Sequence, residues 1–246
     1  KIIAEKWGAD AVRDCDGTKL PENPGQFGKV YNTYFVVRGD NEWARKHPEE
    51  AQRIFLLSNR NLATNETLEI EIMKGFLKDE FDPDYAYIDL WEVYDRTTGI
   101  KHEKWGYNSI NGIVTIENAI PFHEYTVTFL ARVTWHPVQI YNYLTNEWTC
   151  EKQLTYDPAF PATKKYIVEH MKKWCEENPE TSVVRFTTFL YQFTLIFNNL
   201  GKERQVEWFG YGQTANPVLM EEFEKESGIH LFAEDFVDSG YYNNCF

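Results

Sequence analysis

The chain has 246 residues, with 38 acidic and 25 basic side chains and a formal net charge of −13. Its hydrophobic share of 43% and charged share of 26% are those of an ordinary globular protein, which excludes collagen-like, disordered and disulfide-stapled chains. An acidic surface repels a phosphate backbone, and no apolar run reaches the ~20 residues of a membrane helix. We therefore expect neither a nucleic-acid partner nor a membrane span.

Cysteine and histidine usage indicates no metal site and no disulfide framework. The 6 histidines and 4 cysteines show no pair at metal-ligand spacing, so we expect reduced thiols in a cytoplasmic protein without a metal. The first residues lack the apolar core of a signal peptide, and the chain does not begin with methionine. We expect that upstream residues have been removed and that the chain opens inside a helix.

The first 60 residues predict short helices and strands separated by loops rich in glycine and proline. Gly8 suits the end of the first helix, because glycine adopts the left-handed conformation found there. The segments are a helix over 1–8, a strand over 9–13, a turn over 14–17, a loop over 19–28, a strand or extended loop over 29–38, a charged helix over 42–52 and a strand over 54–57.

From about residue 64 to residue 135 the pattern changes to alternating apolar and polar residues. The spacing predicts strands over 67–72, 90–94, 100–105, 112–117 and 125–133, with a hairpin turn at 95–99 that ends in glycine. Lengths of ~5–9 residues are typical of strands. We expect a β-rich insertion of about 70 residues, which is small for a separate domain.

Helices and strands alternate after this insertion. The pattern predicts helices over 137–148, 161–177 and 217–226 and a buried strand over 182–186. Such alternation indicates an α/β fold with parallel strands. His170 lies on the apolar face of its helix, where we expect a packed core residue.

Two of the predicted strands end in arginine, namely Arg13 and Arg185. In a (β/α)8 barrel the ligand site lies at the carboxyl ends of the strands, so both side chains would face one pocket. The planar guanidinium group suits phosphate or carboxylate, because it donates two parallel hydrogen bonds. The alternative is that each arginine is an ion-paired structural residue, and the spacing leaves both interpretations open.

Aromatic residues make up 16% of the chain. We expect most single rings to lie in the core, but the excess favours a ligand with apolar ring faces, such as a sugar. The sequence contains no dinucleotide fingerprint, phosphate-binding P-loop, zinc-protease motif or nucleophile elbow.

Six stretches of the chain, in this order, resemble one enzyme family. They are residues 7–18 (WGADAVRDCDGT), 91–99 (WEVYDRTTG), 123–130 (HEYTVTFL), 135–148 (WHPVQIYNYLTNEW), 183–197 (VVRFTTFLYQFTLIF) and 234–241 (EDFVDSGY). The chain resembles the N-terminal part of the 1,3-β-galactosyl-N-acetylhexosamine phosphorylases, also called lacto-N-biose phosphorylases, of glycoside hydrolase family 112. The resemblance covers nearly all of this chain and only the first part of a family member.

The resemblance implies a fold and a reaction. The fold is α/β: a partial (β/α)8 TIM-type barrel with the β-rich insertion, in which residues 1–246 form the N-terminal portion of the catalytic domain and later strands and domains lie outside this chain. The reaction is inverting cleavage of galactosyl-β1,3-N-acetylhexosamine by phosphate to α-galactose 1-phosphate and N-acetylhexosamine. Phosphate is the nucleophile, so the enzyme supplies one acid, no base and no cofactor. The implied partners are the galactosyl disaccharide and phosphate, and we expect a homodimer of the full-length protein.

The resemblance also assigns roles to five residues. Arg13 and Arg185 match active-site arginines, Asn142 matches a sugar-binding asparagine, and Pro137 and Val138 match positions that shape the acetamido side of the acceptor pocket. The general-acid aspartate is expected downstream of this chain. We therefore name no catalytic residue here, and we expect the chain by itself to be inactive.

Three other functions remain open. The first is a galactosyl-rhamnose phosphorylase of the same family. The second is a retaining β-galactosidase relative, which needs two carboxylates ~5 Å apart where this chain has arginines. The third is a non-catalytic carbohydrate-binding protein.

Overall fold

The computed structural model describes residues 2–14, 20, 22–76, 78, 81–135, 151–187 and 215–237. The helices in these ranges are α1 (Ile2–Trp7), α2 (Asn41–Lys46), α3 (Pro161–Glu177) and α4 (Pro217–Ser227). The strands are β1 (Ala11–Arg13), β2 (Lys29–Phe35), β3 (Arg53–Leu57), β4 (Asn61–Leu62), β5 (Thr67–Glu71), β6 (Phe81–Pro83), β7 (Glu92–Asp95), β8 (Ile100–Lys101), β9 (Trp105–Asn108), β10 (Ile113–Glu117), β11 (Glu124–Trp135), β12 (Gln153–Leu154) and β13 (Val183–Thr187). Short 3₁₀ helices are Pro24–Phe27, Pro48–Glu50, Tyr85–Leu90 and Ala233–Phe236. None of the helices in the described ranges is both long enough and apolar enough to cross a membrane.

A small parallel sheet is formed by β1, β2 and β13. Strand β2 lies in the middle, and the two other strands run parallel to it on either side. Helix α3 packs on one face of this sheet, where the ring of Tyr34 on β2 contacts Trp174 at 5.5 Å and His170 at 5.8 Å between ring centroids. The sheet and its helix confirm the mixed helix and sheet composition predicted for this chain, and the described strands do not close a barrel.

Two antiparallel sheets make up most of the rest. The long strand β11 pairs with β3, β4, β6, β7 and β12, and β7 also pairs with β8. Strands β5, β10 and β9 form a second sheet. The two sheets share one apolar core, because alternate residues of each strand point inward. Fully buried members include Trp91, Val93, Val114, Ile116 and Phe129.

This antiparallel region contains the strands predicted between residues 64 and 135. Its larger sheet also includes β3 and β4, which precede residue 64, and β12, which follows residue 135. The predicted hairpin is the connection from β7 to β8, and Gly99 at its end has a φ of 76°, which favours glycine.

Two details of the prediction are wrong. The helix expected over 42–52 ends at Lys46, since the residue before a proline avoids the helical region and Pro48 begins a separate 3₁₀ turn. The strand expected to be buried over 182–186 leaves Val183 and Phe186 exposed at 38% and 55%. Among the described strands it pairs on one side only, with β2.

Polar side chains satisfy backbone nitrogens at two helix starts. At the start of α3, the carboxylate Oε2 of Glu50 accepts hydrogen bonds from the backbone nitrogen and hydroxyl of Thr163 at 2.7 and 2.6 Å. A negative charge at a helix N-terminus is stabilising. Asn216 caps α4 by accepting from Val218 and Leu219, and Gly228 ends this helix in the left-handed conformation, as the sequence predicts. The predicted helix over 137–148 lies outside the described residues.

Candidate functional site

The parallel sheet places Arg13 and Arg185 on the same face, two residues apart along the strand direction. Arg13 on β1 is the register partner of Tyr31 on β2, and Arg185 on β13 is the partner of Thr33. Register partners share a face of a sheet, and so do residues two apart along a strand. Tyr31 and Thr33 therefore point to the side of the arginines, whereas Tyr34 points to helix α3.

The two arginines are also close enough to act on one small ligand. Two strand spacings across the sheet and two residues along it separate their Cα atoms by roughly 12 Å, a gap that two long side chains facing one another can span. Arg13 is exposed and Arg185 is half-buried. This arrangement fits the convergence that the sequence predicts, and the role of the arginines in binding stays a prediction.

These two arginines differ from the others in their hydrogen-bond partners. Within the described ranges, no carboxylate lies at ion-pair distance from Arg13 or Arg185. Six other described arginines each donate to a side-chain oxygen: Arg38 to Gln153, Arg45 to Glu151, Arg53 to Asp84, Arg60 to Glu124, Arg96 to Glu234 and Arg132 to Asp82. Arg13 ends β1 as predicted, but Arg185 is followed by two more paired residues of β13, so the prediction that this strand ends in arginine is wrong. Arg13 and Arg185 are therefore the arginines available for an anionic ligand in this part of the chain.

Asp14, directly after β1, forms hydrogen bonds with Thr33 on β2. The Oδ2 atom of Asp14 accepts from the backbone nitrogen of Thr33 at 3.0 Å, and Oδ1 accepts from the Thr33 hydroxyl at 2.8 Å. Neither residue has a predicted role. An aspartate directly after a strand is the only signal that points to such a contact, because its short side chain often bonds nearby backbone.

Three of the predicted site residues, Asn142, Pro137 and Val138, lie outside the described residues. The structure therefore brings together two of the five, Arg13 and Arg185.

The other face of the sheet carries an aromatic and polar cluster that packs rather than binds. The hydroxyl of Tyr166 donates to Oδ2 of Asp40 at 2.5 Å, and the Tyr34 hydroxyl lies 2.9 Å from Nδ1 of His170. Burial raises the pKa of Tyr34 to about 12, and nearby Cys175 adds to this effect. Burial alone would raise the pKa of Asp40, but hydrogen bonds from Tyr166 and Trp43 outweigh it and hold it below the usual range. His170 is packed against the rings of Tyr34 and Tyr166, as the sequence predicts.

A cleft of about 260 Å³ lies in the antiparallel region, away from the arginines in sequence and sheet. Two of its lining residues are carboxylates, Glu71 and Asp82, and they form ion pairs with Lys78 at 3.6 Å and Arg132 at 2.6 Å. Among the described residues, no group of three metal-ligating side chains could hold a metal ion.

Comparison with known proteins decides the family. Residues 1–246 match the family model described as the lacto-N-biose phosphorylase N-terminal TIM barrel domain. The chain belongs to the lacto-N-biose phosphorylase family.

Curated relatives agree with this family. The chain is 46% identical over 252 residues to a 1,3-β-galactosyl-N-acetylhexosamine phosphorylase of Lachnoclostridium phytofermentans, with 99% of the chain and 35% of the relative covered. It is 42% identical over 251 residues to the enzyme of that name from Bifidobacterium longum, with 100% and 33% covered. It is 36% identical over 249 residues to a D-galactosyl-β-1→4-L-rhamnose phosphorylase of L. phytofermentans, with 98% and 34% covered. The chain thus spans about a third of the length of these relatives.

Proposed function

We propose that this chain is the N-terminal part of an inverting phosphorylase that cleaves galactosyl-β1,3-N-acetylhexosamine with inorganic phosphate. The products are α-galactose 1-phosphate and N-acetylhexosamine. The observation that carries the proposal is the pair Arg13 and Arg185, which share one face of the parallel sheet, two residues apart in register, without a carboxylate partner among the described residues. Two unneutralised guanidinium groups favour a phosphate between them.

The sheet supports a partial (β/α)8 barrel as the fold of this site. Strands β1, β2 and β13 lie side by side in chain order and all run parallel. Helix α3 covers one face and the arginines occupy the other, which is the division between the outside and the lumen of such a barrel. The antiparallel region then corresponds to a long insertion between the strands β2 and β13.

The proposed chemistry assigns electrostatic work to the arginines. A phosphate oxygen attacks C1 of galactose, the bond from C1 to the glycosidic oxygen breaks, and an acid gives its proton to that oxygen as it leaves. The arginines offset repulsion between the incoming phosphate and other negative groups, and they stay fixed during the reaction. Asn142, Pro137 and Val138 would hold the sugar rings, and the acid would come from the region that follows this chain in its relatives.

A second candidate substrate comes from the relatives. The rhamnose phosphorylase is 36% identical to the chain, against 46% and 42% for two hexosamine phosphorylases. The difference favours N-acetylhexosamine as the leaving sugar, with rhamnose as the alternative.

The test uses the intact enzyme, in which residues 1–246 are followed by the later domains. It is incubated with phosphate and, separately, with galactosyl-β1,3-N-acetylglucosamine, galactosyl-β1,3-N-acetylgalactosamine and galactosyl-β1,4-rhamnose, and galactose 1-phosphate is measured. We expect turnover of the N-acetylhexosamine disaccharides, dependent on phosphate. Residues 1–246 alone serve as the control and should release none.

Three results would count against the proposal. Release of free galactose without phosphate would indicate a hydrolase. Binding of galactosides without any cleavage would indicate a carbohydrate-binding protein. Robust phosphorolysis by residues 1–246 alone would show that the acid lies within this chain.

A further inference from the structure

We infer that Asp14 is a positioning residue: its carboxylate, held by Thr33, fixes the end of strand β1 so that Arg13 and Arg185 can share one phosphate. The inference rests on the proposed function, because it concerns the same pair of arginines. It names the residues that hold the two arginines in position and leave their guanidinium groups available to phosphate.

The contacts of Asp14 extend the pairing of β1 with β2 beyond the last residue of β1. The backbone nitrogen of Asp14 donates to the carbonyl oxygen of Tyr31 at 3.2 Å. Its side chain then accepts from both the backbone nitrogen and the hydroxyl of Thr33, at 3.0 and 2.8 Å. The carboxylate thus accepts the Thr33 N–H that a continued parallel ladder would pair with the backbone carbonyl of Asp14. Arg13, directly before it, is therefore anchored on both sides of its Cα.

Thr33 connects this anchor to the second arginine. It is only 7% exposed, and it is the register partner of Arg185 on the opposite side of β2. One residue thus contacts the anchor of β1 and pairs with β13. A change in the contact between Asp14 and Thr33 would alter the spacing between the two arginines.

The same contact keeps the arginines free. A carboxylate beside two guanidinium groups would ordinarily form an ion pair with one of them and compete with phosphate. Here both Asp14 oxygens accept from Thr33, and within the described ranges neither arginine lies at ion-pair distance from Asp14. The negative charge still reduces the repulsion between the two cations, because the Coulomb energy acts beyond contact distance.

The experiment compares three variants of the intact enzyme. Thr33→Val removes the hydroxyl donor and preserves the shape, Thr33→Ser preserves the donor, and Asp14→Ala removes the acceptor. We expect Thr33→Val and Asp14→Ala to raise the KM for phosphate by roughly tenfold to hundredfold, which is the effect of losing one hydrogen bond to a charged group. The KM for the disaccharide should change much less, and Thr33→Ser should restore the wild-type value.

Thr128 offers a matched control in the antiparallel region. It is fully buried, and its hydroxyl also donates to a carboxylate, Oε1 of Glu234, at 2.5 Å. Thr128→Val should lower the melting temperature as much as Thr33→Val does and leave the KM for phosphate unchanged.

Direct binding of inorganic phosphate, measured by calorimetry on the same proteins, separates this inference from the proposed function. If the wild type binds phosphate without cleaving a disaccharide, the proposed function fails, and weaker phosphate binding by Thr33→Val still supports the inference. An unchanged phosphate affinity in both Thr33→Val and Asp14→Ala overturns it, whatever their melting temperatures. A wild type that neither binds phosphate nor uses it overturns both.

Discussion

The arginines of the antiparallel region and those of the parallel sheet differ in their hydrogen-bond partners. In the antiparallel region, Arg53 is 3% exposed, and it donates to Asp84 at 2.7 Å and to the backbone carbonyls of Ala51 and Glu49 at 2.8 and 2.9 Å. On the parallel sheet, Arg13 and Arg185 have no carboxylate partner in the described part of the chain. A saturated arginine holds the fold together, whereas an unsaturated one is available to a ligand.

Arg96 gives a second example of the saturated kind. It forms a two-fold hydrogen bond to Glu234, at 2.6 and 2.7 Å, and donates from Nε to Thr126 at 2.6 Å. The backbone nitrogen of Glu234 in turn donates to Glu92 at 3.0 Å. This network joins the segment around Glu234 to the middle of the large sheet, so these charges have a structural function.

The largest expected effect comes from breaking a saturated pair. Arg53→Met leaves the buried carboxylate of Asp84 without its cation, which costs about 3–5 kcal/mol of unfolding free energy. Arg185→Met removes no described partner and should cost less than about 0.5 kcal/mol. Urea unfolding followed by circular dichroism measures both. Equal losses in the two variants would mean that Arg185 also has a structural partner.

The second prediction concerns the activity of the intact enzyme when Arg185 is replaced. Arg185→Lys in the intact enzyme keeps the charge and loses the planar guanidinium group. We therefore expect the transition state to lose ~2–4 kcal/mol of stabilisation, which appears as a lower kcat/KM, while the fold persists. Arg60→Lys is the control, since Arg60 pairs with Glu124 at 3.1 Å in the antiparallel region. Steady-state kinetics with varied phosphate and varied disaccharide measure the loss. An unchanged kcat/KM for both substrates would make Arg185 structural, and so would a collapsed melting temperature.

Local pattern in the sequence was sufficient to predict most elements. Alternation predicts β5, β10 and β11, helical spacing predicts α3 and α4, and the glycine at residue 99 predicts the hairpin. Each of these signals acts over a few residues, and the same local forces determine the element.

Pairing between distant strands could not be predicted in this way. Strand β11 pairs with β3 about seventy residues earlier and with β12 about twenty later, and register depends on cores and turns far apart in the chain. The site shares this limitation. Both arginines could be selected from the sequence, but the face that they share follows from the pairing of β1 and β13 with β2. The contact of Asp14 with Thr33 also spans nineteen positions.

A third prediction tests how rigidly the parallel sheet is built. Gly28, just before β2, has a φ of 102°, and an added Cβ would lie 2.3 Å from the carbonyl oxygen of Asp10. Gly112 in the antiparallel region also has a positive φ, 71°, but an added Cβ there meets nothing within 4 Å. We expect Gly28→Ala to destabilise the protein by about 1–3 kcal/mol more than Gly112→Ala, because it adds a backbone clash to the strain. Urea unfolding of the two variants measures the difference in unfolding free energy. Equal losses would mean that the backbone before β1 shifts to relieve the clash without loss of stability.

The smallest expected effect concerns pH and a saturated carboxylate, Asp95. Burial alone would raise the pKa of Asp95, but hydrogen bonds from His123, Thr98 and Thr97 outweigh it and hold the pKa below its ordinary value of 3.8. Nδ1 of His123 lies 2.7 Å from Oδ2 of Asp95. Because the folded pKa is lower than the unfolded one, the ionised carboxylate stabilises the fold above about pH 4, and this contribution is lost as the pH falls through the folded pKa.

Asp95→Asn isolates that contribution. Asparagine preserves one acceptor for the turn and loses the charge, so we expect a loss of about 1 kcal/mol of unfolding free energy at pH 7. The difference between wild type and variant should be smaller at pH 3 than at pH 7, because the stabilisation by the charge is lost progressively below the unfolded pKa. Unfolding curves at the two pH values measure it. A difference that stays constant would mean that the shape of the turn, rather than the charge of Asp95, stabilises this region.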